Sequence, residues 1–292
     1  MFLEMTKIIV VIQSMDFILR VASVDTVHKF VTFNTALIQQ SPFIDQRRDA
    51  LSEQLSKIDA DVVCLQEVLP GSDVEKIVND VKTVYPHSYS KLHGQDGQIN
   101  TYTIAQPPCY GLPSYVRIVC VVLRCNIRGR LEDIINCADQ KCNAFLTIDS
   151  VGSVICTHLT QDQSTPYFEP ITKDTFSSWA EENASEVQYI IDSNKSKARF
   201  VVMGDLNNGP AIPNKNIAAQ FEGSYNKLIG SGMQSPYVEI TGKPSFAGTS
   251  AIIDHVMHKG YTAINSRRIF DDDKLVNGGP LSDHYGVEVW LK

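Results

Sequence analysis

Apolar positions along the chain fall into short runs, and the runs stop repeatedly at acids, asparagines and histidines. His28 to Phe33 predicts a first strand ending in Asn34. From Phe43 to Ile58 the apolar positions Ile44, Leu51, Leu55 and Ile58 keep helical spacing. Asp61 to Leu65 reads as a short buried strand that delivers Gln66 and Glu67 at its end. Val74, Ile77, Val78, Val81 and Val84 predict a second helix, stopped by Pro86. His93 to Asn100, rich in Gly, Gln and Asn, is expected to be a surface loop.

Strands are expected again at Tyr115–Leu123, Phe145–Ile148 and Ser153–Thr157, the last delivering His158. Ala180, Ala184, Val187 and Ile191 would place one stripe of a long helix against a sheet. Arg199 to Met203 predicts a strand running straight into Gly204-Asp205-Leu206-Asn207. Ile252 to Met257 is another, with Asp254 inside it. Ser282-Asp283-His284 precedes Tyr285, Val287, Val289 and Leu291, which alternate with period two. Strands and helices are mixed without a long linker or a visible repeat. The expected division is an N-terminal extension or additional strand over 1–26 and a single catalytic domain over 27–292.

Composition narrows the picture. A 292-residue chain with 43% hydrophobic residues can bury a large core, and aromatics, glycines and prolines are ordinary in number. The formal net charge of -7 argues against a protein held mainly by polyanion backbones, whose affinity rests on many Lys/Arg–phosphate pairs. It leaves room for a nuclease acting through a metal in one small cleft. Ile8 to Ile12 is too short an apolar run to span a bilayer, so no transmembrane segment is expected. Asp16 spoils the region as a signal peptide, although Lys7 before an apolar patch hints at one. A soluble protein is expected, cytoplasmic or secreted.

Cys64 and Cys156 lie in apolar runs, where a reduced thiol acts as a small hydrophobe. Cys109, Cys120, Cys125, Cys137 and Cys142 fall close together, and Cys137 with Cys142 could close a small disulfide. The odd total of seven leaves at least one thiol free or paired outside the chain. CxxC spacing is missing, which disfavours a zinc cluster. Asn183-Ala-Ser and Asn194-Lys-Ser match the glycosylation pattern, as chance alone would produce.

Asn34, Glu67, His158, Asp205, Asn207, Asp254, Asp283 and His284 all stand at or beside expected strand ends. Singly, each has a structural explanation as a turn residue, cap or hydrogen-bonder. Together they supply what a divalent-ion phosphodiester site requires. Carboxylates hold Mg2+, imidazoles move or hold a proton at the phosphate, and amides orient water without adding charge.

Thr32-Phe33-Asn34, Leu65-Gln66-Glu67, Thr157-His158-Leu159, Gly204-Asp205-Leu206-Asn207, Ile253-Asp254-His255-Val256 and Ser282-Asp283-His284-Tyr285 resemble, in order, the signatures of the endonuclease/exonuclease/phosphatase superfamily. The resemblance implies a four-layered α/β sandwich, two mixed β-sheets face to face with helices outside. It implies Mg2+, with Mn2+ as a substitute, held by Glu67 with Asn34 beside it and Asp283 supporting the shell. Asp205 would orient or deprotonate the attacking water, and Asn207 would hold water and phosphate. His158 would donate to a phosphoryl oxygen. His284, oriented by Asp254, would serve as general base or as a phosphate-contacting imidazolium.

Substrate is less legible. Histidine at position 158 is similar to the pancreatic-type deoxyribonuclease and sphingomyelinase branches. The cysteine-bearing run Asn136 to Phe145 and Thr157-His158-Leu159-Thr160-Gln161 resemble the sphingomyelinase-like branch. The family's glycine-led strand ending in Ser-Lys or Ser-Arg is altered here, at Gly111 to Arg124. A nuclease would use Arg117, Arg124, Arg128 and Arg130, or Arg47 and Arg48, at the cleft. A phospholipase would present Tyr102, Pro107, Pro108, Tyr110, Leu112 and Tyr115, or Tyr167 and Phe168, to a bilayer. The expectation is a phosphodiesterase acting on a phospholipid headgroup, with peripheral membrane contact. The alternatives are a deoxyribonuclease-like endonuclease acting on nucleic acid and a non-catalytic binding module on the same fold.

Overall fold

Strand alternation sorts the apolar side chains into three layers, and those layers define the architecture. Phe30, Val62, Cys64, Val154, Cys156, Val201, Met203, Val287 and Val289 pack together between two sheets. Their strand neighbours Val31, Phe33, Val63 and Leu65 face the other way, against Leu51, Leu55, Val74 and Ile77. Ile155, Phe200 and Val202 likewise face Val187, Ile190 and Leu228. The strands that carry these residues are thus buried on both faces, as a sheet covered by helices requires.

The computed structural model describes residues 26–38, 41–68, 71–90, 92–93, 99–100, 118–122, 143–148, 152–162, 176–272, 275 and 277–292. The chain runs β1 (His28–Leu37), α1 (Ile44–Lys57), β2 (Val62–Val68), α2 (Gly71–Val81), β3 (His87–Ser90), β4 (Leu92–His93), β5 (Ile99–Asn100) and β6 (Ile118–Val122). It continues through β7 (Asn143–Ile148), β8 (Gly152–His158), α3 (Trp179–Asn194), β9 (Phe200–Asp205), α4 (Glu222–Gly230), β10 (Asp254–Lys259), β11 (Ala263–Ile269) and β12 (Gly286–Leu291). One mixed sheet has the order β11-β12-β1-β2-β6-β3, and the other β10-β9-β8-β7. Helices α1 and α2 cover the first and α3 and α4 the second, which makes the four-layered sandwich expected from the sequence.

Strand direction decides where the polar residues go. β1 and β2 are parallel and β12 is antiparallel to β1, so two C-terminal ends and one N-terminal end share a rim. β8 and β9 are parallel and β10 is antiparallel to β9, with the same result in the facing sheet. In register, His158 lies beside Asp205, and Asp205 beside Asp254.

Several details differ from the sequence reading. β1 runs past Asn34 to Leu37 with a register irregularity, so Asn34 lies within a strand. Asp254 begins its strand, in place of the expected Ile252. The ends of the expected 93–100 loop pair as β4 and β5. Strands β3 and β11 and helix α4 lack clear periodicity and have no counterpart in the sequence reading. The buried stripe of α3 is Trp179, Asn183, Val187, Ile190 and Asn194, turned away from Ala180, which is exposed. Asn183 lies inside because its amide Nδ2 donates to the carbonyls of Thr160 and Leu206 at 2.8 and 3.0 Å, and Asn194 donates to Ile190 at 3.0 Å. Both glycosylation-pattern asparagines are therefore closed to a glycan in the folded chain. Arg48 is an α1–α2 tie, donating to Asp73 at 2.9 Å, and Arg47 is buried.

Cys64 and Cys156 form a disulfide, correcting their reading as reduced thiols. Each side chain points into the layer between the sheets, and their Cα atoms are 5.7 Å apart. Closing a loop across a sequence separation of 92 is worth about 4–5 kcal/mol in the chain-entropy account. The cysteines from 109 to 142 and residues 1–25 lie outside the described residues, apart from Cys120 in β6. Among the described residues, no helix is long and apolar enough to cross a membrane.

His258 on β10 is buried, and neither ring nitrogen has a hydrogen-bond partner among the described residues. Burial lowers its pKa to about 4, against about 6.5 when unfolded. The unfolded chain thus takes up the proton first, and stability drains as pH falls from about 6.5 towards 4. Urea midpoints should fall through that window, and His258→Phe should flatten the fall.

Candidate active site

At the shared rim, one carboxylate gathers donors from four segments. Asp205 is buried at the end of β9. Its Oδ2 accepts from Asn34 Nδ2 at 3.0 Å and lies 3.4 Å from His158 Nε2 and 3.9 Å from His284 Nε2. Its Oδ1 accepts from the Asn207 backbone N–H at 3.0 Å. Burial alone would raise the Asp205 pKa, but the His158 and His284 imidazoles and the Asn34 amide hold it well below the usual carboxylate range. Asp205 is an anion at neutral pH.

Local backbone geometry sets these positions. Gly204 has a φ of +150°, and a Cβ there would collide with the Thr157 carbonyl on β8, so only glycine lets β9 lie this close. Asn207 is left-handed at φ 50°, a conformation asparagine tolerates, and its Nδ2 donates to the Leu159 carbonyl at 2.9 Å. Asn183 of α3 fixes the same turn through Leu206 and Asn208.

Glu67 reaches the site by breaking strand parity. Val63 and Leu65 face the helices, so regular alternation would send Glu67 there too. Its φ of 59° reverses the strand locally, after which Val68 takes the helix-facing place. The Glu67 Oε1 atom then lies 4.0 Å from His158 Nε2. A non-glycine residue held left-handed is a strained one, and such strain gathers at functional sites.

Asp254 and His284 form a buried pair, with His284 Nδ1 2.9 Å from Asp254 Oδ2. Burial by itself would lower the His284 pKa, but the Asp254 carboxylate, with Asp205 and Asp283 beyond it, raises it to about 10. Burial and the Asp205 charge raise the Asp254 pKa in turn. Three residues not selected as site residues from the sequence brace this pair. The Ser245 hydroxyl accepts from the N–H groups of Ile253 and Asp254, each at 3.0 Å. The Phe246 ring lies 4.6 Å from that of His284. Ser282 accepts from the His284 N–H at 3.2 Å and donates to the Asn34 carbonyl at 2.8 Å, tying the two segments together. Ser282 was visible within its motif, whereas Ser245 and Phe246 carry no local signal.

Seven of the eight polar residues selected from sequence thus meet at one rim. Asp283 is the exception: it is exposed, and among the described residues its carboxylate accepts from its neighbour Ser282 at 3.3 Å while its carbonyl accepts from the Ala247 N–H at 3.0 Å. Its charge reaches His284 but it makes no direct bond to Asp205 or Glu67.

One atom each of Asp205, Asp254 and His284 lie within 4.8 Å of one another, so this group could hold a metal ion. The Asp254 oxygen facing His284 is already engaged, and a protonated imidazole offers no lone pair. The Glu67 carboxylate has no donor closer than His158 among the described residues. Hard oxygen of this kind suits a hydrated divalent cation.

A family model described as the endonuclease/exonuclease/phosphatase family matches residues 31–284. The chain belongs to that family. Membership makes it a metal-dependent hydrolase of phosphate esters. Sphingomyelinase C from Streptomyces griseocarneus is similar in fold, at 15% identity and a TM-score of 0.51, covering 91% of this chain and 100% of that one. The 3′ phosphatase NExo from Neisseria, bound to a product DNA hairpin, gives 15% and 0.57, with 91% and 99% covered. Humanized D. rerio TDP2 gives 14% and 0.55, also with 91% and 99% covered. No curated protein sequence matches the chain.

The Asp254–His284 pair makes a prediction independent of catalysis. By NMR titration, the His284 ring should remain protonated well above neutral pH. Asp254→Asn removes the charge that raises it, and should lower its pKa by about 1–3 pH units. An unchanged titration would show that Asp254 is not the cause.

Proposed function

We propose that residues 27–292 form one catalytic domain that hydrolyses a phosphodiester by in-line attack of water, releasing a phospholipid headgroup. The observation that carries the phosphodiesterase reading is Asp205, kept anionic among Asn34, Asn207, His158 and His284. A divalent cation, Mg2+ with Mn2+ as substitute, would be held by Glu67 with Asn34 beside it, and Asp283 would act on that shell from a distance. When bound, it supplies positive charge against the non-bridging oxygens and the departing oxygen.

The chain's own residues divide the remaining work. Asp205 accepts a hydrogen bond from the attacking water and aims its lone pair at phosphorus. Its neighbours hold Asp205 as an anion, so its first role is orientation. Asn207 holds the water and a phosphoryl oxygen. His158 donates to a phosphoryl oxygen. His284, protonated through Asp254, stabilises the charge that builds as the new P–O bond forms and the ester P–O bond breaks. Its raised pKa favours the imidazolium role over that of general base.

The phospholipid reading rests on the net charge of -7, on the Thr157-His158-Leu159 segment and on the Asn136 to Phe145 run. The strand and rim residues between 101 and 117 and between 123 and 142 lie outside the described residues, as do Tyr167 and Phe168. The similar folds include a sphingomyelinase and a DNA-bound enzyme alike, which keeps an endonuclease as the second reading.

Purified protein should release phosphocholine from sphingomyelin liposomes with Mg2+ and lose that activity in EDTA. Nicking of supercoiled DNA without phosphocholine release would overturn the substrate assignment. No metal-dependent hydrolysis of any phosphoester would favour a binding module. Asp205→Ala and His284→Ala should each lower kcat by at least about 100-fold with the fold intact. Glu67→Gln should weaken Mg2+ binding, with activity recovering at high metal. Wild-type activity in that variant at low Mg2+ would remove Glu67 from the metal site.

A further inference from the structure

The Cys64–Cys156 bond joins the two strands whose ends carry Glu67 and His158. Cys64 lies three residues before Glu67 on β2, and Cys156 two residues before His158 on β8. Packed sheets ordinarily lie about 10 Å apart. Here the Cα atoms of the two cysteines approach to 5.7 Å, so the sheets converge at this point beneath the rim.

Beside the Asn34–Asp205 hydrogen bond, which joins the neighbouring strands β1 and β9, the contacts between these two strand ends are loose. Glu67 Oε1 and His158 Nε2 are 4.0 Å apart, too far for a hydrogen bond. Among the described residues, His158 makes no well-aligned hydrogen bond through either ring nitrogen, although Nε2 is 3.4 Å from Asp205. Its place is therefore set by its backbone, which Cys156 ties covalently to the facing sheet. On the β2 side, Gln66 Nε2 donates to Cys64 Sγ at 2.8 Å and to Thr32 Oγ1 at 3.1 Å, binding the covalent link to the strand that carries Asn34.

We propose that the Cys64–Cys156 disulfide is a positioning strut for the metal site, holding the ends of β2 and β8 at the spacing that lets Glu67 serve the same cation as the Asp205 cluster. The inference rests on Glu67 being a metal ligand. It makes the oxidised chain the working form, which suits a compartment where disulfides persist. Reduction by a phosphine would deliver two electrons to the S–S bond. Water would supply the oxygen that ends on phosphorus and the two protons that end on the thiols.

The experiment compares Mn2+ binding by calorimetry in the full-length oxidised protein, in its phosphine-reduced form and in Cys64→Ala/Cys156→Val, at a temperature where circular dichroism shows each folded. Peptide mass mapping should first find the Cys64–Cys156 cross-link. Losing the bond should raise the Mn2+ Kd at least about tenfold, as loss of a ligand-orienting partner does. Reduced wild-type protein keeps the core volume, and so decides the matter should the double variant fail to fold. A lower Tm with Mn2+ affinity within about twofold of wild type would make the bond a stabiliser only and overturn the strut. Absence of the cross-linked peptide would overturn it too. Glu67→Gln in the oxidised protein separates the two layers of the argument. If it leaves Mn2+ affinity unchanged, the metal assignment fails. If it weakens binding while bond loss does not, the strut alone fails.

Discussion

Keeping Asp205 ionised while it is buried is the constraint on which the site depends. A buried carboxylate would normally take up a proton, and leaving such a charge uncompensated costs several kcal/mol, about 3–5 when one partner of a buried pair is removed. Compensation here comes from β1, β8, the turn after β9 and the turn before β12. None of these donors is local except Asn207. The sandwich must therefore be fully assembled before the anion is tolerable, and the catalytic arrangement and the folded state stabilise one another. The mutual ties support this. Ser282 bonds the Asn34 carbonyl, Asn183 bonds the Leu206 carbonyl, and Ser245 bonds the N–H that begins β10.

How much of this the sequence discloses depends on whether a position obeys period two. Where alternation is regular, as in Phe30, Thr32 and Asn34 or Val201, Met203 and Asp205, the sequence alone indicates which residues share the inter-sheet face and how they end at the rim. Most of the site's strand-end positions were legible for that reason, whereas the four-layered fold came from the family resemblance. Glu67 was legible as a motif residue but not as geometry, because its direction comes from one left-handed backbone angle that overrides parity. Asn183 and Asn194 escaped because a buried asparagine looks polar in a periodicity count, while its amide replaces a lost backbone partner. Asp283, chosen by its place in a motif, sits one residue out of phase with Ser282 and His284 and so points outward.

The same parity argument, carried one step further, would have put both cysteines on the inter-sheet face. Cys64 shares a face with Val62 and Gln66, and Cys156 shares one with Val154 and His158, all towards the facing sheet. What sequence could not give is the stagger between sheets, on which a cross-link depends. The first helix and its arginines show the opposite case. Arg48 answers Asp45, Asp49 and Asp73 on α1 and α2, so its charge is consumed in helix–helix ties and is not available to a phosphate.

The charge balance of the rim explains why a metal belongs to this scaffold at all. Glu67, Asp205, Asp254 and Asp283 bring four carboxylates towards it, and His158 and His284 can bring at most two positive charges. The deficit is that of one divalent cation. A phosphodiester carries its own negative charge and would be repelled from such a surface, most strongly where low dielectric leaves the repulsion unscreened. A cation at Glu67 would restore neutrality and so govern substrate entry as well as the chemical step. The amides at Asn34 and Asn207 fit the same logic, since a carboxylate at either place would add to an excess that one ion can only just offset.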